Sequence, residues 1–124
     1  MANQTYARNE MKNHDDWRLP TIQELSTLID YTVSAPACVI KESQKIDSYW
    51  SATEYAGNMD AAWVVLFYDG YTDYSNKSNN HAVRCVRTSS EKKLHWSKIS
   101  AEPMNWNNAM KYANNLIAPT QYKS

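Results

Sequence analysis

The sequence, 124 residues long, is poor in glycine and cysteine and carries no net charge. Lysine and arginine together number 13, as do aspartate and glutamate, so the basic excess typical of a nucleic-acid binder is missing. No apolar run approaches the roughly 20 residues that a membrane-spanning helix needs, and the first residues lack a hydrophobic signal core. We therefore expect no nucleic-acid partner and no membrane partner. The sequence also shows no signal that would direct export.

Cysteine and histidine are too few and too scattered to predict a metal site or a nucleophile. Cys38 and Cys85 are the only cysteines; they form no CxxC motif, and we expect two unpaired, largely buried thiols. His14, His81 and His95 share no metal-ligand spacing such as H-x-x-x-H. No serine or cysteine lies in a recognisable nucleophile motif. We therefore expect no catalytic residue, no metal site and no cofactor.

Tryptophan and tyrosine are abundant, at five and nine, against a single phenylalanine. Both side chains combine an apolar body with a polar group, so they suit the edge of a core as well as a recognition surface. The length is enough for a single domain, residues 1–124, whose core needs no disulfide.

The stretch 16–29 organises the predicted fold. Pro20 fixes its own φ and keeps the residue before it out of the helical region, so a helix can begin only after it. Thr21 and Glu24 have the T-x-x-E spacing of a capping box. The apolar residues that follow form one helical stripe, and we expect this helix to fade near residues 30–31. The stripe consists of Ile22, Leu25, Leu28 and Ile29.

Aromatic-rich and alternating segments predict an antiparallel meander. The predicted strands are residues 49–53, 62–68, 71–75 and 81–87, with a further short strand at 94–98. The segment 62–68 has large side chains on both faces and should be central, and Asp69-Gly70 should form a type I′ turn after it. Asn105 should cap a second helix. Its apolar face comprises Trp106, Ala109, Met110, Ala113, Leu116 and Ile117. A sheet of mostly consecutive strands with two amphipathic helices is an α+β fold.

Four blocks occur in a characteristic order: residues 16–25 (DWRLPT, then EL), 49–53 (YWSAT), 62–70 (AWVVLFYDG) and 83–87 (VRCVR). Together they resemble the Lcl-type C-terminal domain of bacterial collagen-like adhesins, over residues 14–88. The resemblance implies a C-type lectin-like fold, with a small twisted antiparallel sheet and two amphipathic helices, and a secreted or cell-surface setting. The formylglycine-generating enzyme is a more distant relative, but the Cys-rich segment on which that enzyme depends is not found here. An enzyme is therefore not expected.

Residues 94–117 resemble the first strand and first helix of the same family, but here they follow the last strand. Circular permutation within one chain is the first explanation, since the termini of such a fold lie close together. A homodimer formed by helix exchange is the second, and a tandem array cut out of phase is the third. In many relatives the first helix carries a cysteine that could meet the one in the VRCVR block. The equivalent region here reads Tyr112-Ala113, so the resemblance implies that Cys85 lacks that partner.

Two further motifs have structural interpretations. Arg84 alternates with apolar residues in a strand that should be covered, so it should need a carboxylate or carbonyl partner that holds helix to sheet. Its candidate partners are Glu24, Asp16 and Asp30. Arg18 has the same interpretation. The segment 102–108 (EPMNWNN) faintly resembles the calcium loop of sugar-binding lectins, but the family alignment places it at a helix start with Asn105 as the cap.

The loops and the outer hairpin present a surface rich in Tyr and Asn. Flat rings give contact area at low entropy cost and amides give hydrogen bonds, as in adaptable binding surfaces. Alternation sends Tyr71 and Asp73 to one side of their strand and Tyr74 to the other. The predicted ligand-binding residues are Tyr55, Asn58, Asp60, Tyr71, Asp73, Tyr74, Asn76, Asn79 and Asn80. The leading hypothesis is a non-enzymatic binding module for a glycan or a protein ligand. The alternative is a structural or assembly domain that oligomerises through its C-terminal helix.

Overall fold

The structure is a computed structural model, and it describes residues 12–30, 48–68 and 70–123. Short strands and two helices make up an α+β fold, as predicted. In chain order the elements are β1 (Asn13–His14), α1 (Ile22–Ser26), β2 (Ser48–Glu54), β3 (Ala61–Leu66), β4 (Tyr71–Asn76), β5 (Arg84–Thr88), β6 (Leu94–Ile99), α2 (Trp106–Asn115), β7 (Ala118–Pro119) and β8 (Tyr122–Lys123). Within the described residues, neither helix is long and apolar enough to cross a membrane.

The strands form three antiparallel sheets. In the first, β3 lies between β2 and β4; in the second, β6 lies between β5 and β8; the third is the short pair of β1 and β7. Because β7 and β8 follow α2, the two ends of the described chain meet in the third sheet, where Asn13 pairs with Pro119. The C-terminal segment is therefore an integral part of the fold.

The predicted capping box of α1 is confirmed. The Thr21 hydroxyl accepts from the Glu24 amide at 3.1 Å, and the Glu24 carboxylate accepts from the Thr21 amide at 2.9 Å. The helix ends at Ser26, earlier than the predicted residues 30–31, because the amides of residues 27–29 donate to carbonyls three residues back. This tighter turn still directs the apolar residues of the predicted stripe toward the core. Its members Leu25, Leu28 and Ile29 are buried, and Ile22 is half-buried.

The hairpin of β3 and β4 differs from the prediction at its turn. Leu66 pairs with Tyr71, so the connection contains four residues, 67–70, and the expected two-residue type I′ turn is wrong. Gly70 has a φ of 84°, and its amide donates to the Leu66 carbonyl at 2.8 Å. Glycine adopts such a conformation at little cost, which suits the last position of a longer hairpin loop. Asp69 lies outside the described residues.

The predicted strand 81–87 belongs mostly to a different sheet. The segment 81–83 touches the first sheet through a bridge between Ala82 and Tyr49, but β5 begins at Arg84 and pairs with β6. The prediction that this strand continues the β3–β4 hairpin is therefore wrong. The physical reason is that β6, predicted only as a short extra strand, offers β5 an antiparallel partner along its whole length.

Two buried clusters lie on opposite faces of the first sheet, because neighbouring residues of a strand point to opposite sides. Tyr49 and Val65 point to one face, toward α1, and Trp50 and Val64 point to the other. The first cluster consists of Leu25, Leu28, Ile29, Tyr49, Val65, Phe67, Ala82, Val86 and Trp96. The second consists of Trp17, Leu19, Trp50, Ala62, Val64, Val83, Cys85, Ala109 and Ala113. The sheet is thus covered on both sides, as its central strand requires.

Helix α2 packs on its own chain in this structure. Ala109 and Ala113 are completely buried in the second cluster, where small side chains let the helix approach Trp50 closely. The Trp50 indole N–H donates to the Met104 carbonyl at 2.8 Å, and the Trp106 indole N–H donates to the Ser51 carbonyl at 3.0 Å. Two tryptophans therefore fix the start of α2 against β2.

The predicted cap of α2 is also confirmed. The Asn105 side chain accepts from the Asn108 amide at 2.9 Å, so this residue has the structural role expected for the 102–108 segment. Cys85 is free and buried, as predicted, and packs in the same cluster as Tyr112. Cys38 lies outside the described residues.

Candidate functional site

Three aromatic side chains form a contiguous cluster on the α1 side of the β3–β4 hairpin. The rings of Tyr55 and Tyr74 are stacked, with centroids 4.1 Å apart and planes 11° from parallel. Trp63 contacts both rings edge-on, at centroid distances of 5.5 Å to Tyr55 and 6.2 Å to Tyr74. We call these three residues the aromatic cluster. The two edge-on contacts have the distances and angles that aromatic pairs prefer, and the Tyr55–Tyr74 stack is closer still, so each ring contacts the other two.

Strand register and a tight loop place these rings. Trp63 and Tyr74 are directly paired across the antiparallel strands, so their side chains lie on the same face. Tyr55 follows β2 and is held by a hydrogen bond from its amide to the Ala61 carbonyl, at 3.0 Å. Its ring lies over Gly57, where an added Cβ would be only 2.7 Å from the ring carbon Cε2. The loop thus closes under the ring of Tyr55.

A groove adjoins the aromatic cluster, with a volume of about 470 Å³. Its lining residues are Ile22, Gln23, Ser26, Trp63 and Thr72, so α1 forms one wall and the hairpin forms the other. Thr72 lies on the same face as Trp63, because it pairs with Val65, which is two residues from Trp63 in β3. The volume falls in the range of small-molecule sites, and apolar walls with a few neutral polar groups are typical of them. None of these lining side chains carries a charge.

The Trp63 indole differs from those of three other tryptophans, whereas the buried Trp96 indole N–H also has no partner among the described residues. The indole groups of Trp17, Trp50 and Trp106 donate to backbone carbonyls. Trp63 is only half-buried, and its indole N–H has no acceptor within the described parts of the chain. A half-exposed indole that keeps its donor is suited to contact both the apolar and the polar parts of a ligand.

The nine residues predicted as a ligand-binding surface divide into several places. Tyr55 and Tyr74 belong to the aromatic cluster. Tyr71 and Asp73 lie on the opposite face of β4, paired with Leu66 and Val64, as alternation predicts. The two exposed tyrosines of β4, which are 68% and 50% exposed, therefore point to different surfaces. The nine residues therefore do not lie on one continuous surface, because those on β4 point to both of its faces.

Several of the predicted amides instead stabilise turns. The side-chain oxygen of Asn58 accepts from the Asp60 amide, and that of Asn76 accepts from the Ser78 amide, both at 2.9 Å. The Asn79 amide group donates to the Ser75 hydroxyl at 3.0 Å. Such local hydrogen bonds are typical of Asx-type turns. Asn80 is exposed in the same turn.

A second, polar cavity of about 420 Å³ lies between this turn and the start of α2. Its lining residues are Asp60, Asn76, Lys77, Ser78, Asn105 and Asn107. Lys77 pairs with Glu54 at 2.6 Å and lies 4.2 Å above the ring centre of Trp106, so its ammonium group is already engaged within the protein. Asp60 and Asn76 thus belong to a surface separate from the aromatic cluster.

The charged residues near α1 have structural partners. Arg18 donates to both carboxylate oxygens of Glu24, at 2.7 and 2.9 Å, which confirms the ion-pair interpretation of Arg18. These hydrogen bonds hold the pKa of Glu24 below its ordinary value. Asp16 pairs with Arg87 in the same bidentate way, at 2.6 and 3.2 Å. The hydrogen bonds from Arg87 likewise lower the pKa of Asp16.

Arg84 is buried as predicted, but two of its three proposed carboxylate partners are engaged elsewhere. Glu24 pairs with Arg18, and Asp16 pairs with Arg87. The Arg84 guanidinium donates to the carbonyl of Ser97, at 2.9 Å. A carbonyl partner was one of the two chemistries expected, and it ties β5 to β6.

The described residues do not assemble nucleophilic or metal chemistry. Burial raises the pKa of the Cys85 thiol to about 12, which is the opposite of what a reactive cysteine needs. His81 contacts the hydroxyls of Ser48 and Ser75, at 2.7 and 2.8 Å, so each ring nitrogen faces a serine rather than an orienting carboxylate. Burial lowers the pKa of His81. Across residues 12–30, 48–68 and 70–123 no group of three or more His, Cys, Asp and Glu side chains could hold a metal ion.

Trp63 and the groove were missed by the sequence prediction. Trp63 was placed in a strand covered on both sides, whereas it is half-buried at the edge of α1. The signal that could have found it is strand alternation, because Trp63 and Tyr74 lie on the same face of the hairpin; the predicted two-residue turn would have paired Trp63 with Asn76 instead. Gln23 and Ser26 could not have been found in the same way, since they reach the groove only through the packing of α1 on β3.

Comparison with known proteins gives a family. The model of the Lcl C-terminal domain matches residues 1–87, and this match ends before β6 and α2. No curated protein and no solved structure matches the chain. The matched family is a non-catalytic C-terminal domain of adhesin-like proteins.

Proposed function

We propose that this chain, which belongs to the Lcl C-terminal domain family, is a non-enzymatic module that binds a glycan on its aromatic cluster and groove. The ligand sites of a family can differ in detail, so the proposal rests on the side chains of this chain. The observation that carries it is the ring arrangement of Tyr55, Trp63 and Tyr74 beside an uncharged groove.

Sugar rings have the chemistry that this surface would recognise. The C–H face of a pyranose is apolar and stacks on an aromatic ring, while its hydroxyl groups need donors and acceptors at the ring edge. In this proposal the three rings supply the flat surface. The Trp63 indole N–H, the Gln23 amide and the hydroxyls of Ser26 and Thr72 supply the hydrogen bonds. Because the described lining is neutral, we propose a neutral glycan.

The proposed fold of the module is C-type lectin-like, with α2 in the position that relatives fill from their front end. The packing of α2 supports this, because Ala113 is buried in the same cluster as Cys85, the cysteine of the VRCVR block. Tyr112 also lies close enough that the thiol adds to the rise in its pKa, after burial as the main cause. These are the two positions where the resemblance placed the cysteine of relatives.

The test compares the two exposed tyrosines of β4. Tyr74→Ala and Trp63→Ala should each weaken binding to a printed array of neutral oligosaccharides by about tenfold or more, as expected when an aromatic anchor is removed. Tyr71→Ala is the matched control, since it removes an exposed tyrosine ring from the other face of the same strand. Melting temperatures of all variants establish that the fold is retained.

The possible outcomes separate the alternatives. Loss of binding in Tyr71→Ala but not in Tyr74→Ala would place the site on the opposite face and contradict the proposal. Binding to sulfated but not neutral oligosaccharides would contradict the neutral-ligand part. If no glycan binds and a protein is captured through Tyr74, the ligand class is wrong and a protein ligand takes its place.

A further inference from the structure

Gly57 lies where a side chain cannot fit without moving Tyr55. A Cβ built on Gly57 would be 2.7 Å from Cε2 of the Tyr55 ring and 3.1 Å from both Cζ and the hydroxyl oxygen. Carbon atoms in contact are normally about 3.5–4.0 Å apart, so the ring and the added methyl group could not both keep their positions. No other heavy atom outside the neighbouring residues of Gly57 comes as close.

The loop backbone is fixed more firmly than the ring. The Asn58 amide donates to the Tyr55 carbonyl at 3.2 Å, and the Ala61 amide donates to the Asn58 carbonyl at 3.1 Å. Together with the bond between the Tyr55 amide and the Ala61 carbonyl, these close the loop at both ends. The Tyr55 ring is the far end of a rotatable side chain that is only partly buried. A methyl group at Gly57 would therefore displace the ring rather than the loop.

The backbone at Gly57 gives no other reason for a glycine. The positive φ among the glycines belongs to Gly70, so alanine at Gly57 would meet no left-handed strain. Gly57 is also exposed, so a methyl group there would not disturb the core. Because Gly57 has no side chain, the Tyr55 ring has the space to lie flat on Tyr74.

We propose that Gly57 is a positioning residue for the glycan-binding surface, because it lets Tyr55 stack on Tyr74 beside Trp63. This inference rests on the proposed function, since it concerns the same site. It adds that the shape of the surface depends on a residue that contacts no ligand. Gly57→Ala should shift the Tyr55 ring, break the 4.1 Å stack and weaken glycan binding while the fold persists.

The first measurement needs no glycan. Stacked rings shift each other's proton resonances, so the ring protons of Tyr74 should move toward the values of an unstacked tyrosine in Gly57→Ala. Ala56→Ser is the matched control, because it adds one atom at the neighbouring exposed position. Melting curves of both variants should stay close to that of the wild type. Unchanged Tyr74 resonances in Gly57→Ala would overturn the inference.

The second measurement is a double-mutant cycle with Tyr55→Ala. The probe is the neutral oligosaccharide that the wild type binds most tightly on the array. Gly57→Ala should weaken its binding about three- to tenfold in the wild-type background, and should have no effect once Tyr55→Ala has removed the ring. Equal effects in both backgrounds would show that Gly57 acts independently of Tyr55 and would overturn the inference.

The two proposals fail in different ways. If Trp63→Ala and Tyr55→Ala bind the oligosaccharide like the wild type, the proposed function fails, whatever the resonances of Tyr74 do. If those variants lose binding while Gly57→Ala binds fully, the proposed function stands and the role of Gly57 is refuted.

Discussion

Removal of the chain after Ser100 is the strongest test of the architecture, because it deletes α2 and both strands that follow it. The chain 1–100 keeps all four blocks of the family resemblance and the whole β2–β3–β4 sheet. It loses the helix that covers the second buried cluster. If that helix is a necessary part of the core, the shortened chain should not fold.

The expected loss can be estimated from the contacts. Trp50 loses its acceptor at Met104, and Trp17 loses its acceptor at Ala118. Each buried donor left without a partner costs about 1–3 kcal/mol. Each large apolar side chain that becomes exposed costs a further ~1.5–3 kcal/mol. For the two tryptophans and the aliphatic residues around them the total is roughly 10 kcal/mol, which is comparable with the ~5–15 kcal/mol stability of a whole domain.

The assay combines thermal unfolding, tryptophan fluorescence and light scattering. Because α2 packs on its own sheet, we expect the full-length chain to melt cooperatively and to have the mass of a 14.3 kDa monomer. The chain 1–100 should show no cooperative transition and should have the fluorescence of exposed tryptophan. A chain ending at Gln121, which loses only β8, is the control and should still melt cooperatively.

Two results would contradict this reasoning. A soluble, cooperatively melting monomer of residues 1–100 would show that α2 is dispensable and that the second cluster closes without it. A full-length dimer that becomes monomeric on truncation would instead support helix exchange, with α2 covering the sheet of a second copy.

Four further predictions concern three positions, Glu24, Gly70 and Cys85. Glu24→Ala should lower the free energy of unfolding by about 1–3 kcal/mol in urea denaturation, because the cap and the Arg18 pair are lost together; a change below a few tenths would contradict that role. Because Arg18 lowers the pKa of Glu24, the stability due to this pair is complete above its ordinary pKa of 4.5 and is lost as the pH falls through the native pKa. Glu24→Gln should therefore weaken the acid dependence of the melting temperature, and an unaltered acid limb would refute the linkage. Gly70→Ala should cost ~1–2 kcal/mol, since a Cβ is disfavoured at a φ of 84°, and an equal stability would refute the turn geometry. Cys85 is buried and its pKa is raised to about 12, so it should resist iodoacetamide at pH 8 until urea unfolds the protein. Peptide mass spectrometry distinguishes its labelling from that of Cys38. Rapid labelling of Cys85 in the native state would contradict its burial.

Local signals predicted the parts of the fold that depend on neighbouring residues. The T-x-x-E spacing gave the capping box of Thr21 and Glu24, and Asn105 was recognised as the cap of α2. Both depend on hydrogen bonds over three residues, so the sequence alone contains the needed information. The central position of β3 was also predicted, because its apolar side chains on both faces require two covering layers.

Pairing between distant segments was not predictable from local signals. The Asp69-Gly70 dipeptide favours a two-residue turn, but the register from Leu66 to Tyr71 gives a longer loop, since packing on both faces fixes the register of β3. The strand partner of β5 was missed for a similar reason, as it lies beyond a polar connection.

The residues of the predicted site are separated in the structure by strand alternation and by hydrogen bonds within turns. Alternation correctly separated Tyr71 from Tyr74, yet the nine residues were treated as one surface. Composition predicted Tyr and Asn as recognition residues, and several of these amides form hydrogen bonds that close turns, which composition alone does not predict. Trp63 became visible only when its cross-strand partner was known.

The late position of α2 has a consequence for synthesis. Translation proceeds at about 5–20 residues per second, from the N-terminus, so the strand that carries Trp50 is made before α2, which covers it. In this chain α2 is translated after all three strands of the first sheet, so the apolar face that contains Trp50 and Val64 stays uncovered until α2 has also left the ribosome.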